Sequence, residues 1–241
     1  MRIAILVCSV DSSDFSHQYP NDGEKFVTLL GPLRPEWSFH PVAANEGVLP
    51  ERADEYDGYI VTGSPKSNRA AAAWVKRLHA FIMALDEARR PTVGICFGHQ
   101  AIAEALGGRL QENPGESEAE RFHAGVARLH LCAALPWMDP PADTLDLYTA
   151  HGEQVTNLPP TARLVGWNHR CPVAAFTVGE HMLGCEFHPE LYRDFIRAMI
   201  VSRADDLDEA FVEARLAEIE GETQGPLFGR WIVNFLEGVR T

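Results

Sequence analysis

Val93-Gly94-Ile95-Cys96-Phe97-Gly98-His99-Gln100 is an apolar run that ends on a cysteine flanked by glycines and then opens a helix. The pattern predicts a strand, a sharp turn that carries the thiol, and a helix, which together form a nucleophile elbow. Unpaired N–H groups and the positive end of the dipole at a helix N-terminus favour thiolate over thiol. Gly94 and Gly98 stand where a Cβ would crowd the turn or the neighbouring backbone. A core cysteine that merely ends a strand fits the same eight residues, because short motifs occur by chance.

Outward from this stretch, strands and helices alternate as in parallel β/α units. Strands are expected at 2–8, 37–43, 57–62 and 91–95, with helices near 23–31, 69–89 and 97–106, the last closed by Gly107-Gly108. This is an α/β fold with a doubly wound, mostly parallel sheet flanked by helices. Its ligand site belongs outside the carboxyl ends of the strands, where Cys96 and the turn at Gly63 both fall. A polar stretch, Asn113 to Arg121, reads as a solvated loop. Short strands follow near 124–131, 145–150, 163–168, 172–178 and 182–187.

The last of these strands leads into Gly184-Cys185-Glu186-Phe187-His188-Pro189-Glu190. Residues two apart on a strand share a face, so His188 and Glu190 are placed to meet. An imidazole that shuttles the proton and a carboxylate that fixes its tautomer are what a cysteine nucleophile requires. Alone, His-Pro-Glu also fits a strand end followed by a helix cap.

Together these motifs resemble the class I glutamine amidotransferase family, whose cysteine lies in a Gly-Ile/Val-Cys-x-Gly-x-Gln elbow and whose histidine and glutamate lie in His-Pro-Glu. The resemblance covers roughly residues 1–200 and implies a flavodoxin-like sheet. Tyr59-Ile60-Val61-Thr62-Gly63-Ser64-Pro65 looks like the family's oxyanion strand and loop, and His151-Gly152-Glu153-Gln154-Val155 like its His-Gly-Asp/Glu segment. It implies Cys96 as nucleophile, His188 as general base and acid, and Glu190 as the partner that orients it. The oxyanion hole would be the N–H of Phe97 with one from Gly63-Ser64, each such donor being worth about 3 kcal/mol. Gln100, His151 and Gly152 would border the substrate. The implied reaction is hydrolysis of a γ-glutamyl amide, from glutamine or a γ-glutamyl compound, through a γ-glutamyl thioester.

Three departures bear on specificity. Many members have Gly-Gly-Pro where this chain has Gly63-Ser64-Pro65, and Gln-Phe-His-Pro-Glu where it has Glu186-Phe187-His188-Pro189-Glu190. Residues 163–170 replace a small, serine-containing segment with one that carries Trp167. These changes point to a pocket that takes something other than free glutamine.

Composition sets the remaining bounds. With 241 residues, 46% of them apolar, the chain can bury one large core. A formal charge of -13 without a basic stripe argues against a nucleic-acid partner. Five cysteines without a Cys-x-x-Cys pair indicate neither a disulfide framework nor a zinc site, which fits a reducing, cytoplasmic setting. The first apolar run is too short to span a membrane and carries no cleavage site. No metal or other cofactor is expected.

From about residue 203 an acidic-faced helix is expected, with Asp205, Asp206 and Asp208 on its polar side and Leu207, Phe211, Leu216 and Ile219 on its apolar stripe. A second helix, with Phe228, Trp231, Ile232 and Phe235 at helical spacing, follows Pro226. The division is thus an amidotransferase-like domain over 1–202 and a C-terminal helical extension over 203–241, packed on it or forming a homodimer surface. No P-loop or other acceptor-domain signature is present. The chain therefore reads as a stand-alone γ-glutamyl hydrolase, as a glutaminase subunit that delivers ammonia to a separate synthetase partner, or as a non-catalytic binding module of the same fold. A flavodoxin-like cysteine protein of the protease or stress-chaperone kind would place histidine directly after the cysteine, where this chain has Phe97.

Overall fold

A computed structural model describes residues 1–9, 16–70, 72–204 and 209–238. In chain order the elements are β1 (Arg2–Leu6), α1 (Asp22–Leu30), β2 (Ser38–Val42), β3 (Gly58–Val61), α2 (Ala73–Glu87), β4 (Thr92–Ile95), α3 (Phe97–Ala105), β5 (Arg109–Glu112), α4 (Glu118–Arg121), β6 (His123–Leu131), β7 (Thr144–His151), β8 (Glu153–Asn157), β9 (Ala162–Trp167), β10 (Ala175–Val178), β11 (Met182–Cys185), α5 (Arg193–Ser202), α6 (Glu209–Glu218) and α7 (Gly225–Gly238).

Among the described residues the main sheet runs β2-β1-β3-β4-β11-β10-β9-β6-β7. Its strands are parallel from β2 through β11 and antiparallel from β11 onward. Inside the edge strand β2, both faces of the parallel half are covered, and β1, β3, β4 and β11 are buried along nearly their whole length. Ile3 and Ile5 of β1 join Phe26, Leu30, Trp231 and Leu236 on one side, while Ala4 and Leu6 join Leu78, Ile82 and Phe97 on the other. α1 starts on a capping box in which Asn21 and Glu24 exchange hydrogen bonds between side chain and backbone.

Several features differ from the expectation, among them α4 and α5, which no expected helix covers. α2 begins at Ala73 rather than near 69, because the residues ahead of it are held by side-chain bonds around the cleft. Ser67 Oγ donates to both carboxylate oxygens of Glu153 at 2.8 and 2.9 Å, and Asn68 Nδ2 donates to Phe97 O at 2.8 Å. β5 and β8 form a separate two-stranded sheet that brings Glu153 beside α3. Asn113, read as part of a solvated loop, is buried, and its side chain donates to His151 O at 2.8 Å.

α7 lies against the parallel sheet beside α1. Trp231, Ile232 and Leu236 are fully buried there, and Trp231 Nε1 donates to Pro140 O at 2.9 Å. Ile219, just after α6, closes a smaller cluster with Tyr148, Ile196 and Ile200. Of the residues read as the acidic helix, Asp205, Asp206, Leu207 and Asp208 lie outside the described residues.

Candidate active site

Cys96 stands between β4 and α3 with φ 49° and ψ -107°. Such a conformation costs a non-glycine residue on the order of 1–3 kcal/mol and persists only where its surroundings impose it. Here the Cys96 N–H donates to Cys185 O and the Gln100 N–H to Cys96 O, both at 2.9 Å. The first bond ties the elbow to β11, the strand that leads to His188. A Cβ on Gly94 would lie 2.4 Å from Gly98 O, and one on Gly98 would lie 2.1 Å from Val61 O. Both contacts are to backbone, so only glycine fits at either place.

Beyond β11, the His188 N–H donates to Tyr148 O at 2.8 Å and clips this segment to β7. His188 Nδ1 lies 2.7 Å from Glu190 Oε1, with both residues buried. A carboxylate at Nδ1 takes that nitrogen's proton in a hydrogen bond and leaves Nε2 as the basic nitrogen. His188 Nε2 has no partner among the described residues. Gly63 faces the gap between base and thiol: a Cβ there would lie 3.0 Å from His188 Cε1 and 3.9 Å from Cys96 Cβ.

The other expected site residues fall around this centre. The Phe97 ring turns away into the core beside Trp74. Gly63 and Ser64 line the cleft, and Ser64 Oγ accepts the Lys66 N–H. Gln100 also borders it, but its amide nitrogen is committed to Glu153 O at 3.0 Å and Glu186 Oε1 at 2.8 Å. The His151 ring is held at Nδ1 by Glu153 O at 2.9 Å, and Gly152 O accepts the Asn113 N–H. Burial first, then His123, pushes His151 down to about 3, so its ring is neutral at ordinary pH.

The electrostatics of the thiol run against the helix-terminus expectation. Burial raises the Cys96 pKa well above that of a free thiol, Glu186 and Glu190 raise it further, and the Phe97 N–H only partly offsets them. These influences favour the thiol over the thiolate at the resting sulfur.

Glu186 is fully buried, and its Oε1 accepts the Gln100 amide at 2.8 Å. Burial drives it toward the neutral acid. His99 Nε2 lies 3.6 Å from Glu186 Oε2, but burial pushes His99 down to about 3. With the acid shifted up and the imidazole shifted down, the two meet as neutral groups rather than as an ion pair.

Trp167 has no part in the cleft. It stacks on His130 with ring centroids 4.6 Å apart, so it does not reshape the pocket as its place in the sequence implied.

The cleft over Cys96 measures about 1120 Å³ and reaches from Gly63-Ser64 and His151-Gly152 to Lys25, Phe195 and Met199. Sequence reasoning missed that far wall, together with Asn68, Asn113 and the Arg69–Glu153 pair at 2.6 Å. Among the described residues no cluster of metal-ligating side chains is present, and no helix is long and apolar enough to cross a membrane.

The family model for glutamine amidotransferase class-I matches residues 34–200. The chain belongs to this family. Gamma-glutamyl peptidase 3 of Arabidopsis thaliana is 25% identical over 244 residues, covering 98% of this chain and 97% of the plant protein. The glutamine-hydrolyzing GMP synthase of Azoarcus sp. (strain BH72) is 32% identical over 161 residues, 63% of this chain and 28% of the synthase. Among solved structures, a glutamine amidotransferase from Thermotoga maritima superposes with a TM-score of 0.73 at 18% identity, over 98% of this chain and 96% of that one. This last likeness supports the fold of the amidotransferase chain alone.

Proposed function

We propose that this amidotransferase-family chain is a cysteine-dependent hydrolase of γ-glutamyl amide bonds, with Cys96 as nucleophile, His188 as base and acid, and Glu190 as the orienting carboxylate. The observation that carries the reading is the 2.7 Å bond from Glu190 to His188 Nδ1, which leaves Nε2 unpartnered at a cleft that also holds the strained Cys96 elbow.

In this mechanism the Cys96 proton passes to His188 Nε2 as sulfur bonds to the γ-carbonyl carbon of the substrate. The carbonyl π pair moves onto oxygen, which accepts hydrogen bonds from the Phe97 N–H and from an N–H of the Gly63-Ser64 turn. The oxyanion then collapses and expels the amine, which takes the proton from imidazolium, and a γ-glutamyl thioester remains. Water gives a proton to His188, attacks the thioester and releases glutamate, and the proton returns to sulfur.

Two observations favour γ-glutamyl peptides or related amides over free glutamine. The cleft of about 1120 Å³ extends well beyond the space one glutamine side chain fills. The likeness to a gamma-glutamyl peptidase runs over 98% of the chain, whereas the likeness to a GMP synthase stops at 63%. A role as ammonia-delivering subunit for a synthetase is the second reading, and that shorter match is its support.

The test is glutamate release from glutamine and from a panel of γ-glutamyl peptides, with Cys96→Ala as control. The expected result is Cys96-dependent turnover of peptides above that of glutamine. Glutamine as the preferred substrate would favour the subunit reading, and release unaffected by Cys96→Ala would overturn the assignment of the nucleophile.

A further inference from the structure

Apart from the catalytic cleft, the described residues line a second cavity, of about 300 Å³, at the lower end of the range of small-molecule sites. It lies where the sheet forks. β6 pairs with β7 from His123 to His130 but with β9 only at His130 and Leu131, and the turn at 168–171 after β9 forms the opposite wall. Asn168 Nδ2 closes one end by donating to Arg128 O at 2.7 Å. Tyr148 O accepts the His188 N–H, so Tyr148 turns its backbone away from β6. Its partner Val126 therefore turns its N–H and C=O away from β7, toward the fork, at a level that β9 does not reach.

The lining is rich in cations for a chain of net charge -13. Arg128 is engaged by Asp146, with both N–H···O distances 2.8 Å, and Arg215 by Glu218 at 2.6 Å. Arg170 differs from both. Its main-chain N–H donates to Asn168 Oδ1 at 2.9 Å, but its guanidinium makes no hydrogen bond or ion pair among the described residues.

Two donors buried in the same lining have no partner among the described residues. One is the hydroxyl of Thr149, a residue only 5% exposed, and the other is Arg215 Nε. Gly125 pairs with Thr149, and a Cβ on Gly125 would lie 2.9 Å from Glu218 Oε2 and 3.4 Å from Arg215 Cδ. Thus α6 brings its arginine against β6 at the position opposite Thr149. His123 and His151, also cross-strand partners, continue the floor with ring centroids 5.1 Å apart. Burial, then Arg170 and Arg215, hold the His123 pKa down to about 4. One uncompensated guanidinium and two orphaned donors match a ligand that carries negative charge and accepts hydrogen bonds.

We propose that this cavity is a binding site for a small oxyanion, a carboxylate or phosphate group that accepts hydrogen bonds from the Arg170 guanidinium, the Thr149 hydroxyl and Arg215 Nε. It is separate from the catalytic cleft, and His151 is the one residue that borders both. The inference does not depend on which amide the cleft accepts.

The experiment follows the His123 ring signals by NMR in the full chain, assigned with His123→Gln, while inorganic phosphate or acetate is added at constant ionic strength. At least one probe should give saturable shifts and raise the His123 pKa, since a bound anion offsets the two guanidiniums. Saturation by phosphate alone or by acetate alone tells phosphoryl from carboxylate recognition. Arg170→Gln should weaken binding by roughly tenfold or more, the size of one hydrogen bond to a charged group. Thr149→Val keeps the side-chain shape and should weaken binding to a lesser degree. Arg163→Gln alters an exposed arginine outside the cavity and should leave binding unchanged. Shifts that do not saturate, or an equal loss in Arg163→Gln, would overturn the proposal. So would a binding curve that is the same in Arg170→Gln as in wild type, which would put the anion elsewhere, as in the cleft on the other side of His151. If Thr149→Val fails to fold, Arg170→Gln, on an exposed turn, decides alone.

Discussion

At Cys96 the sequence and the backbone make the same demand, because a side chain held at φ 49° must be flanked by residues that leave room for the turn. Gly98→Ala places a methyl group 2.1 Å from Val61 O, against backbone that cannot rotate away. Overpacking a tight site costs about 1–3 kcal/mol, and contact with backbone belongs at the upper end. The variant should lower the urea midpoint of unfolding without changing the m-value. At Glu190 the expected loss is kinetic. Glu190→Gln keeps the shape of the pair but removes the charge that stabilises imidazolium and fixes its tautomer, so kcat should fall by on the order of 10⁴-fold with KM little changed. Steady-state kinetics on a γ-glutamyl peptide would check it; a loss carried by KM would point to a substrate contact instead. Cys96, His188 and Glu190 were legible because each lies in a local pattern whose spacing sets its geometry. Glu186, His99 and Asn113 were not, since their roles depend on partners far along the chain. Glu186 meets Gln100 only because β11 and β4 are neighbours in the sheet, and Asn113 meets His151 only because β5 pairs with β8.

At the level of elements, the buried parallel strands were readable from apolar runs, and the end of α3 from Gly107-Gly108. The β5–β8 pair escaped because Arg109-Leu110-Gln111-Glu112 and Glu153-Gln154-Val155-Thr156-Asn157 are polar strands with little apolar alternation, defined by each other's backbone. The helical stripe of α7 was visible as well, but a stripe does not say what it covers. In the structure it covers the face of the parallel sheet on which Ile3, Ile5, Ile60 and Val93 lie, the same face as α1. Its central contact is Trp231, fully buried with its indole N–H bonded to Pro140 O. Trp231→Ala should therefore cost about 3–5 kcal/mol, the range for emptying an aromatic site in a core. Equilibrium denaturation with wild-type and variant chains measures it. A loss below about 1 kcal/mol would mean that α7 packs on the sheet too loosely to belong to its core.

Across the whole molecule, the buried titratable groups near the cleft make stability fall toward both ends of the pH scale. His99 and His151 are pushed down to about 3 in the fold, whereas in the unfolded chain they titrate near the usual imidazole value. Between those limits the unfolded state binds the extra protons. Each histidine thus contributes stability that is fully present above about pH 6.5 and is lost as pH falls, at about 1.4 kcal/mol per pH unit once the unfolded form is charged. Glu186 acts in the opposite direction. Its folded pKa is raised, so above the ordinary carboxylate range the unfolded chain gives up a proton that the fold retains, and stability falls as pH rises until the folded group ionises. Glu186→Gln removes that loss without touching the two histidines. The stability of the variant relative to wild type should therefore grow with pH above the carboxylate range, by up to about 1.4 kcal/mol per unit, while the acid-side decline stays the same in both. Urea unfolding of the two chains across a pH series separates the effects. A constant offset at every pH would mean that Glu186 is ionised in the fold and that a cation reaches it in solution. A gap that widens with pH would mean that the fold carries Glu186 as the neutral acid at a cost to stability.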